Sequence, residues 1–508
     1  MSFIDNIIGL FSPKAEFRRE QYRIATEALR SYEAASRTRR TAGWKTTSAS
    51  ANEETKGALT TIRNRQRDLF RNNPYASRAI NGLADNLVGT GIRPSPLGAT
   101  KTLDKRIKQL WRQWANKTKC DYDGKNNFYG LQRLAAKTLF ESGEVLIVKR
   151  RVADRSLPIP MQLQVLEPDY IDSSKDYMEL VESGGAVIQG VEYNAAGKRV
   201  AYWLYDRHPG DGWAIASKRV PVEDVLHIYP VDRPGQVRGV PVGTSSIMRL
   251  RDFDEYEDAQ LLKQKVSACF AAFVTDDANT NPMGGNGADQ DQLERLEPGI
   301  IEYLAPGKQV TFANPPSVEG YDVYARTILR AIAAGYGVTY EMMTGDLSNV
   351  NFSSGRMGWL EFHRLITRMQ ELVFIPQMCD PCWDWFMEAC VVSMQFRPAQ
   401  VVDAEWTSPR REMIDPSKEV KAQIESIKGG ITSWSEVARE NGWDRDELLA
   451  QLSKDKEDLD ALEIVVNSDF RKDPNYISAV NKGKLQSVQA DIEDEDVDDE
   501  EDDVQQNT

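Results

Sequence analysis

Cys379-Asp-Pro-Cys382 is the part of this chain that comes nearest to chemistry. A C-x-x-C pair can hold zinc or cycle between dithiol and disulfide. Cys390 follows and His363 precedes it, enough donors for a tetrahedral site. Pro381 and the apolar neighbours Phe374, Trp383 and Phe386 equally suit thiols packed in a core. Glu141 with Glu144, and Glu341 with Asp346, offer carboxylates for general acid–base work. No nucleophile or oxyanion donor accompanies either pair, so solvated surface is the expectation for both. His227, in the strand-like run Asp224 to Pro230, is expected to be a satisfied core histidine. The only other histidines are His208 and His363. Gly-x-Ser-x-Gly, His-Glu-x-x-His and the phosphate-binding Gly-x-x-x-x-Gly-Lys-[Ser/Thr] are all missing from the chain. A nucleotide-driven motor would need the last of these. No catalytic, metal or cofactor residues are therefore expected.

The elements around these residues point elsewhere. Tyr321 to Ala334 reads as a helix, which Gly335 and Gly337 can stop by taking positive φ. Val338 to Gly355 comes next, and its second half is rich in Asn, Ser and Gly, residues that bond their own backbone. From Ser353 or Ser354 a helix restarts and runs as far as Val392, kinked at Pro376 and Pro381. A polar loop slung between two helices is a poor core element and a good working part. It contains no Lys or Arg between Val338 and Ser354; Arg356 stands just beyond it.

Upstream, Glu16–Thr38, Lys56–Arg71, Pro74–Val88, Leu103–Thr118 and Phe128–Ser142 read as helices. Strands are expected at Glu144–Val152, Met161–Leu166, Val187–Tyr193, Val200–Tyr205 and Val225–Tyr229, with a hairpin turn at Asn194-Ala-Ala-Gly197. A long helix is expected over Thr244–Phe273, with Leu250, Phe253, Tyr256, Leu262 and Val266 on one stripe. Asp252, Asp254, Glu255, Glu257 and Asp258 crowd its first half, as a solvated or ion-paired face or as a negative surface on a channel. Short strands at Gly299–Leu304 and Gln309–Ala313 flank a turn at Pro306-Gly307. Near the C-terminus, Gly429-Gly430 separates two helices, the second capped by Ser433 or Ser435.

Five cysteines in 508 residues, an odd number, suggest a reducing compartment. No apolar run is long enough to span a bilayer, so a soluble protein without a membrane partner is expected. The net charge of −14 falls to −3 once the eleven acids of residues 491–503, "DIEDEDVDDEEDD", are set aside. Such a block self-repels and buries nothing. It reads as a solubilising tail, or as one that repels DNA or engages a basic partner. The first 73 residues carry fourteen Lys or Arg against eight acids. Arg37, Arg39, Arg40, Arg63, Arg65, Arg67 and Arg71 surround Trp44 in sequence. They suit phosphate contacts, or a solvated face that pairs with acids on a neighbouring subunit.

Three blocks carry a resemblance: "DLFRNNPYASRAINGLADNLVGTGIRPSP" (Asp68 to Pro96), "LEPGIIEYLAPGKQVTFANPPS" (Leu296 to Ser317) and "RAIAAGYGVTYEMMTGDLSNVNFSSGRMGWLEFHR" (Arg330 to Arg364). In this order and spacing they resemble lambda-family phage portal proteins over roughly Arg63 to Phe396. The resemblance implies an α+β, mainly helical, portal-like fold: basic arm 1–55, α+β wing 56–242, stem helices 243–273 and 318–337 around a small β clip at 274–317. A tunnel loop at 338–355, a kinked spine at 356–407, a helical crown at 408–460 and an extension at 461–508 complete it.

It also implies a ring, typically of twelve copies, at one capsid vertex. That ring would be assembled in the host bacterial cytoplasm and conduct double-stranded DNA in packaging and ejection. Implied partners are the terminase large subunit, major capsid and scaffold proteins, and head–tail connectors. Glu341, Asp346, Asn349, Asn351, Ser353, Ser354 and Arg356 would line the channel. Arg356 is either a transient phosphate contact or a partner of Glu361 or of an acid on the next subunit. Asp291, Glu294, Glu297, Glu302 and Lys308 would form the clip surface for terminase and adaptors. The rival readings are a non-conducting minor virion scaffold or connector, and a metal- or redox-active enzyme using Cys379 and Cys382.

Overall fold

The structure, a computed structural model, describes residues 46–152, 159–176, 178–180, 184–212, 216–268, 272–276, 308–312 and 320–462, with Lys14, Arg18, Gln21, Tyr22, 39–44, Asp154 and Leu157. The expected helix at Glu16–Thr38, the strand at Gly299–Leu304, the Pro306-Gly307 turn, Arg37, Cys269 and the acidic block lie wholly or largely outside the described residues. The chain divides into two compact units, 1–57 with 233–236, and 58–232 with 237–508.

In the first unit Ser50 caps a helix over Ala51–Lys56, accepting from the Glu53 amide. Asn52 donates to the Gly235 carbonyl at 2.9 Å and Arg233 pairs with Glu54 at 2.6 Å. Trp44 is exposed.

The second unit is α+β and mainly helical, as expected. Helices span Leu59–Asn72, Pro74–Val88, Lys101–Ala115 and Phe128–Ser142. Pro74 takes the first helical position, where no amide donor is needed, and Asn73 caps it through Oδ1. Met161–Leu166, Val145–Arg151 and Val225–Ile228 form a three-stranded antiparallel sheet in that spatial order. Beside it runs a five-stranded meander: Met178–Leu180, Gly185–Ile188, Val191–Tyr193, Arg199–Tyr205 and Ser217–Pro221. The expected single strand Val187–Tyr193 is thus two strands. Gln189 at φ 48 and Gly190 at φ 83 reverse the chain between them, left-handed geometry that alternation does not reveal. The hairpin turn at Asn194–Gly197 is present.

Ile247–Ala268 is a helix of 22 residues, shorter than expected at both ends. Thr244–Ser246 is a 3-10 turn, and Ala272–Asp276 is a strand paired antiparallel with Lys308–Phe312. The partner of that second strand is therefore the segment after the helix. The apolar stripe buries only its first half: Leu250 and Phe253 are inside, Tyr256 is half-buried, and Leu262 is 62% exposed.

Phe352–Met369 and Asp380–Val392 are α-helical and the ten residues Gln370–Cys379 between them are π-helical, so the spine is continuous through Pro376. Proline offers no amide, and the widened turn accommodates the lost bond. Trp111, Trp114, Phe128, Trp383, Phe386 and Trp406 pack as one aromatic cluster with centroid separations of 4.9–6.4 Å. It joins the first helices to the spine and to Ala404–Thr407, a strand paired with Arg93–Pro96. Helices Pro416–Lys428, Trp434–Glu440 and Arg445–Ala461 complete the described chain, and Ser433 caps the second of them. Among the described residues no helix is long and apolar enough to cross a membrane.

Candidate functional site

The helix Tyr321–Tyr336 lies against Ile247–Ala268. Tyr256 meets the Tyr324 ring at 4.5 Å, and Tyr321 donates to Glu257 at 2.8 Å. At their shared end, backbone packs tightly against side chains. A Cβ on Gly335 would stand 1.8 Å from the Ser246 Oγ, and one on Gly243 would meet the Tyr336 ring at 2.5 Å. Ser246 donates to the Ile332 carbonyl, and Gln66 donates to the Tyr336 hydroxyl at 2.9 Å. Gly335 is therefore a residue of close approach inside the helix. Gly337, at φ 73, ends it alone.

The loop beyond Gly337 is more ordered than a glycine- and asparagine-rich run suggests. Thr339 caps a helix over Tyr340–Thr344, whose Met343 is buried, and Gly345 closes it at φ 79. The open part of the loop is only 345–351. Asn351 and Ser354 form a reciprocal cap, so the next helix begins at Phe352, one or two residues before its expected start.

Asp346 is a tie within the loop. Its carboxylate accepts from the Ser348 hydroxyl at 2.5 Å, the Ser348 amide at 3.0 Å and the Tyr340 hydroxyl at 3.0 Å. The Ser348 bonds, then that of Tyr340, hold its carboxyl below the usual range. Glu341 is half-buried on the short helix; Asn349, Asn351, Ser353, Ser354 and Arg356 are exposed. Arg356 does not pair with Glu361, which bonds Arg364 at 3.2 Å instead. Residues three or four apart share a helix face and residues five apart do not.

Two cations missed by the sequence reading stand at the base of the loop. Arg78 donates to the Met342 carbonyl at 2.7 Å, and the Arg330 guanidinium lies 5.5 Å from the Tyr340 ring centroid. Arg78 comes from a helix more than 250 residues earlier, so no local signal announces it. Leu347, Phe352, Met357 and Leu360 are exposed, giving the loop region an apolar character that its polar composition hides. Of the clip positions, Asp291, Glu294, Glu297 and Glu302 lie outside the described residues. Lys308 begins its strand opposite Asp276.

The cysteine reading finds no support in the geometry. Cys379, Cys382 and Cys390 are wholly buried, and burial first of all pushes their thiols up, Cys390 to about 12. Thiols held in the protonated form are poor nucleophiles, and among the described residues none of the three belongs to a group of donors close enough to share a metal. Among the described residues the one group of donors close enough to share a metal is Glu167, Asp169 and His208. Arg67 already neutralises it, at 2.5 Å from Asp169 and 3.2 Å from Glu167.

Glu144, expected on the surface, is instead a fully enclosed charge. It takes the guanidiniums of Arg238, at 2.7 Å, and Arg63, the His227 Nε2 at 2.8 Å and the Gly239 amide at 2.8 Å. Burial alone would raise its carboxyl. Arg238, Arg63 and His227 outweigh burial and hold it well below the usual carboxylate range. Burial also lowers His227 to about 4, against the opposing pull of Glu144. An ionised carboxylate only accepts, so neutral His227 donates through Nε2. His227 is a core histidine as expected, but it is satisfied only at Nε2; its Nδ1 has no hydrogen-bond partner among the described residues. Arg63 and Arg67 of the basic cluster are thus internal ion pairs, which removes them from any surface that faces nucleic acid or a neighbour.

Residues 37–370 match the sequence profile of the family described as phage portal protein, lambda family. The chain is 27% identical over 462 residues to the probable portal protein of Halomonas phage phiHAP-1, covering 86% of each. It is 24% identical to portal protein B of Escherichia phage lambda, covering 76% of this chain and 81% of that one. Among solved structures it is similar to a chain in the neck of an empty GTA particle, at 15% identity and a TM-score of 0.45, covering 78% of this chain and 95% of that chain. The profile match spans the paired helices, the ordered loop and the first part of the spine. This chain belongs to the lambda family of phage portal proteins.

Proposed function

We propose that the chain assembles into a ring, twelve copies being the expected number, at one vertex of a phage capsid. Double-stranded DNA passes through it during packaging and ejection. In this reading 56–242 and 356–407 are wing and spine, 243–273 and 318–337 the stem, 274–317 the clip, 338–355 the tunnel loop, and 408–460 the crown. The clip docks the terminase large subunit first and head–tail connectors afterwards. Capsid and scaffold proteins surround the wing, and assembly takes place in the host cytoplasm. The ring conducts and docks; it catalyses nothing itself.

The observation that carries this reading is the pair of helices locked at Gly335 and Ser246, presenting a short tied loop without a basic residue. DNA carries a charge about every 1.7 Å, and each Lys or Arg contact adds salt-dependent affinity. A conduit needs few such contacts where the passage is narrowest. Arg78 and Arg330 sit at the loop's base, engaged with a carbonyl and a ring, and Arg356 remains as a transient contact.

Native mass spectrometry with negative-stain imaging tests the ring. Twelve copies of 57.3 kDa give about 690 kDa, with an axial hole in end views. A compact dimer at every concentration, in the presence of scaffold protein, would contradict it.

A further inference from the structure

A cleft of about 820 Å³ opens between the Lys101–Ala115 helix, the start of the Phe128–Ser142 helix and the segment 441–447. Its lining is cationic and aromatic, with two carboxylates, Asp444, which pairs with Lys108 at 3.3 Å, and Glu447. Arg93, Arg112, Arg133 and Arg410 face it, with Tyr129 and Trp443 among the rings. Arg112 is paired with Glu447, and Arg133 with Asp85 at 2.6 Å. Arg93 and Arg410 are exposed and, among the described residues, have no carboxylate partner; Arg93 lies only over the Tyr129 ring, at 5.6 Å. Two unneutralised guanidiniums in a concave, ring-lined site call for an anionic occupant.

The chain contains such an occupant. Residues 491–503 carry eleven acids and no base, with Ile492 and Val497 as the apolar members. Glu447, on the cleft wall, lies near the start of the Arg445–Ala461 helix. That helix of 17 residues runs about 25 Å away from the cleft at 1.5 Å per residue. The 28 residues between Leu462 and Asp491 span about 30 Å as a coil and about 90 Å when extended. The acidic run therefore reaches back to the cleft of its own copy without strain.

We propose that the cleft is the docking site of the chain's own acidic segment, residues 491–503, held by Arg93 and Arg410. The interaction is electrostatic and leaves the two cations unavailable to DNA.

Zero-length carbodiimide coupling in the full chain tests this. Arg410→Lys keeps the charge and supplies an amine. The expected result is amide crosslinks from position 410 to acids of 491–503 within one chain, seen by mass spectrometry of isotope-mixed protein. They should exceed those from Lys421, an exposed lysine on the neighbouring helix. Adding Arg93→Gln should lower their yield about tenfold, the equivalent of one charge-assisted contact. Salt at 1 M, where the Debye length is about 3 Å, should abolish them with the fold intact. Equal coupling at positions 410 and 421, coupling only between different chains, or protection of position 410 by duplex DNA and not by the tail would each overturn the proposal.

Discussion

Arg238 meets the Glu144 carboxylate at 2.7 Å with its side chain 2% exposed and that of Glu144 wholly buried. Arg63 joins from the Leu59–Asn72 helix, so one carboxylate ties that helix, the end of the three-stranded sheet and the segment before the Ile247–Ala268 helix. Removing the acid takes from two buried guanidiniums the carboxylate they share and leaves them their bonds to backbone carbonyls. Glu144→Ala should lower unfolding stability by about 3–5 kcal/mol, read from urea denaturation. A change below about 1 kcal/mol would show that water or another acid reaches the site.

The same cluster sets an acid limit. His227 is neutral in the fold with its pKa lowered to about 4, whereas an unfolded histidine binds a proton near pH 6.5. Between these values the unfolded chain holds more protons, so stability falls as pH drops from 6.5 towards 4. The depressed Glu144 adds a further loss below about pH 4.3. The urea midpoint should decline across the first window, and His227→Gln should flatten that decline. An unchanged slope in the variant would remove His227 from the account.

Gly335→Ala should destabilise the junction of the Tyr321–Tyr336 helix with Ser246. The new methyl stands within 2 Å of the Ser246 Oγ, and overpacking of this kind costs about 1–3 kcal/mol. The helix-propensity gain of about 0.5–1 kcal/mol does not offset it. Ser246→Gly in the same chain should recover much of the loss in thermal unfolding. A neutral single variant would mean that the two helices separate easily.

Asp346→Ala should loosen the loop and leave the helices intact. Tyr340 and Ser348 lose their shared acceptor, so amide exchange over 345–351 should quicken while that over 321–336 is unchanged. Equal exchange in both proteins would mean that the loop is held by its caps alone.

Two of the helices before the sheets show how much is legible in the sequence. Pro74–Val88 and Phe128–Ser142 have the expected ends because their signals are local: a proline at the first turn, caps at Asn73 and Asn127, glycines after the last turn. The cap at Ser433 is visible for the same reason. The Glu144 site is not, since its partners Arg63, His227 and Arg238 lie 81, 83 and 94 residues away. Glu144 and Glu141 look alike in sequence, yet Glu141 merely pairs with Lys137 on its own helix. The strand Ala272–Asp276 begins in what reads as the end of the long helix, because a short apolar run fits either period. In the loop, composition marks the break between the two helices and misses the order within it. Asp346 suits a channel-facing position by its type, and its oxygens are turned on Ser348 and Tyr340.

The same bonds make Asp346 a poor probe of conduction, because a lysine there would unmake the loop as well as charge it. Asn349 and Ser353 are exposed; Ser353 lies outside the loop's side-chain bonds and Asn349 gives up only a 3.5 Å bond to the Ser348 hydroxyl, so lysine at these two positions adds charge and leaves the Asp346 bonds and the Asn351–Ser354 cap in place. The decisive measurement is the nuclease-protected DNA per capsid in particles carrying Asn349→Lys with Ser353→Lys. If DNA slides past a loop that must not grip it, rings of normal mass form, protected DNA falls several-fold, and added salt restores part of it. Full packaging through such rings would contradict the claim that this loop lines the path of the DNA.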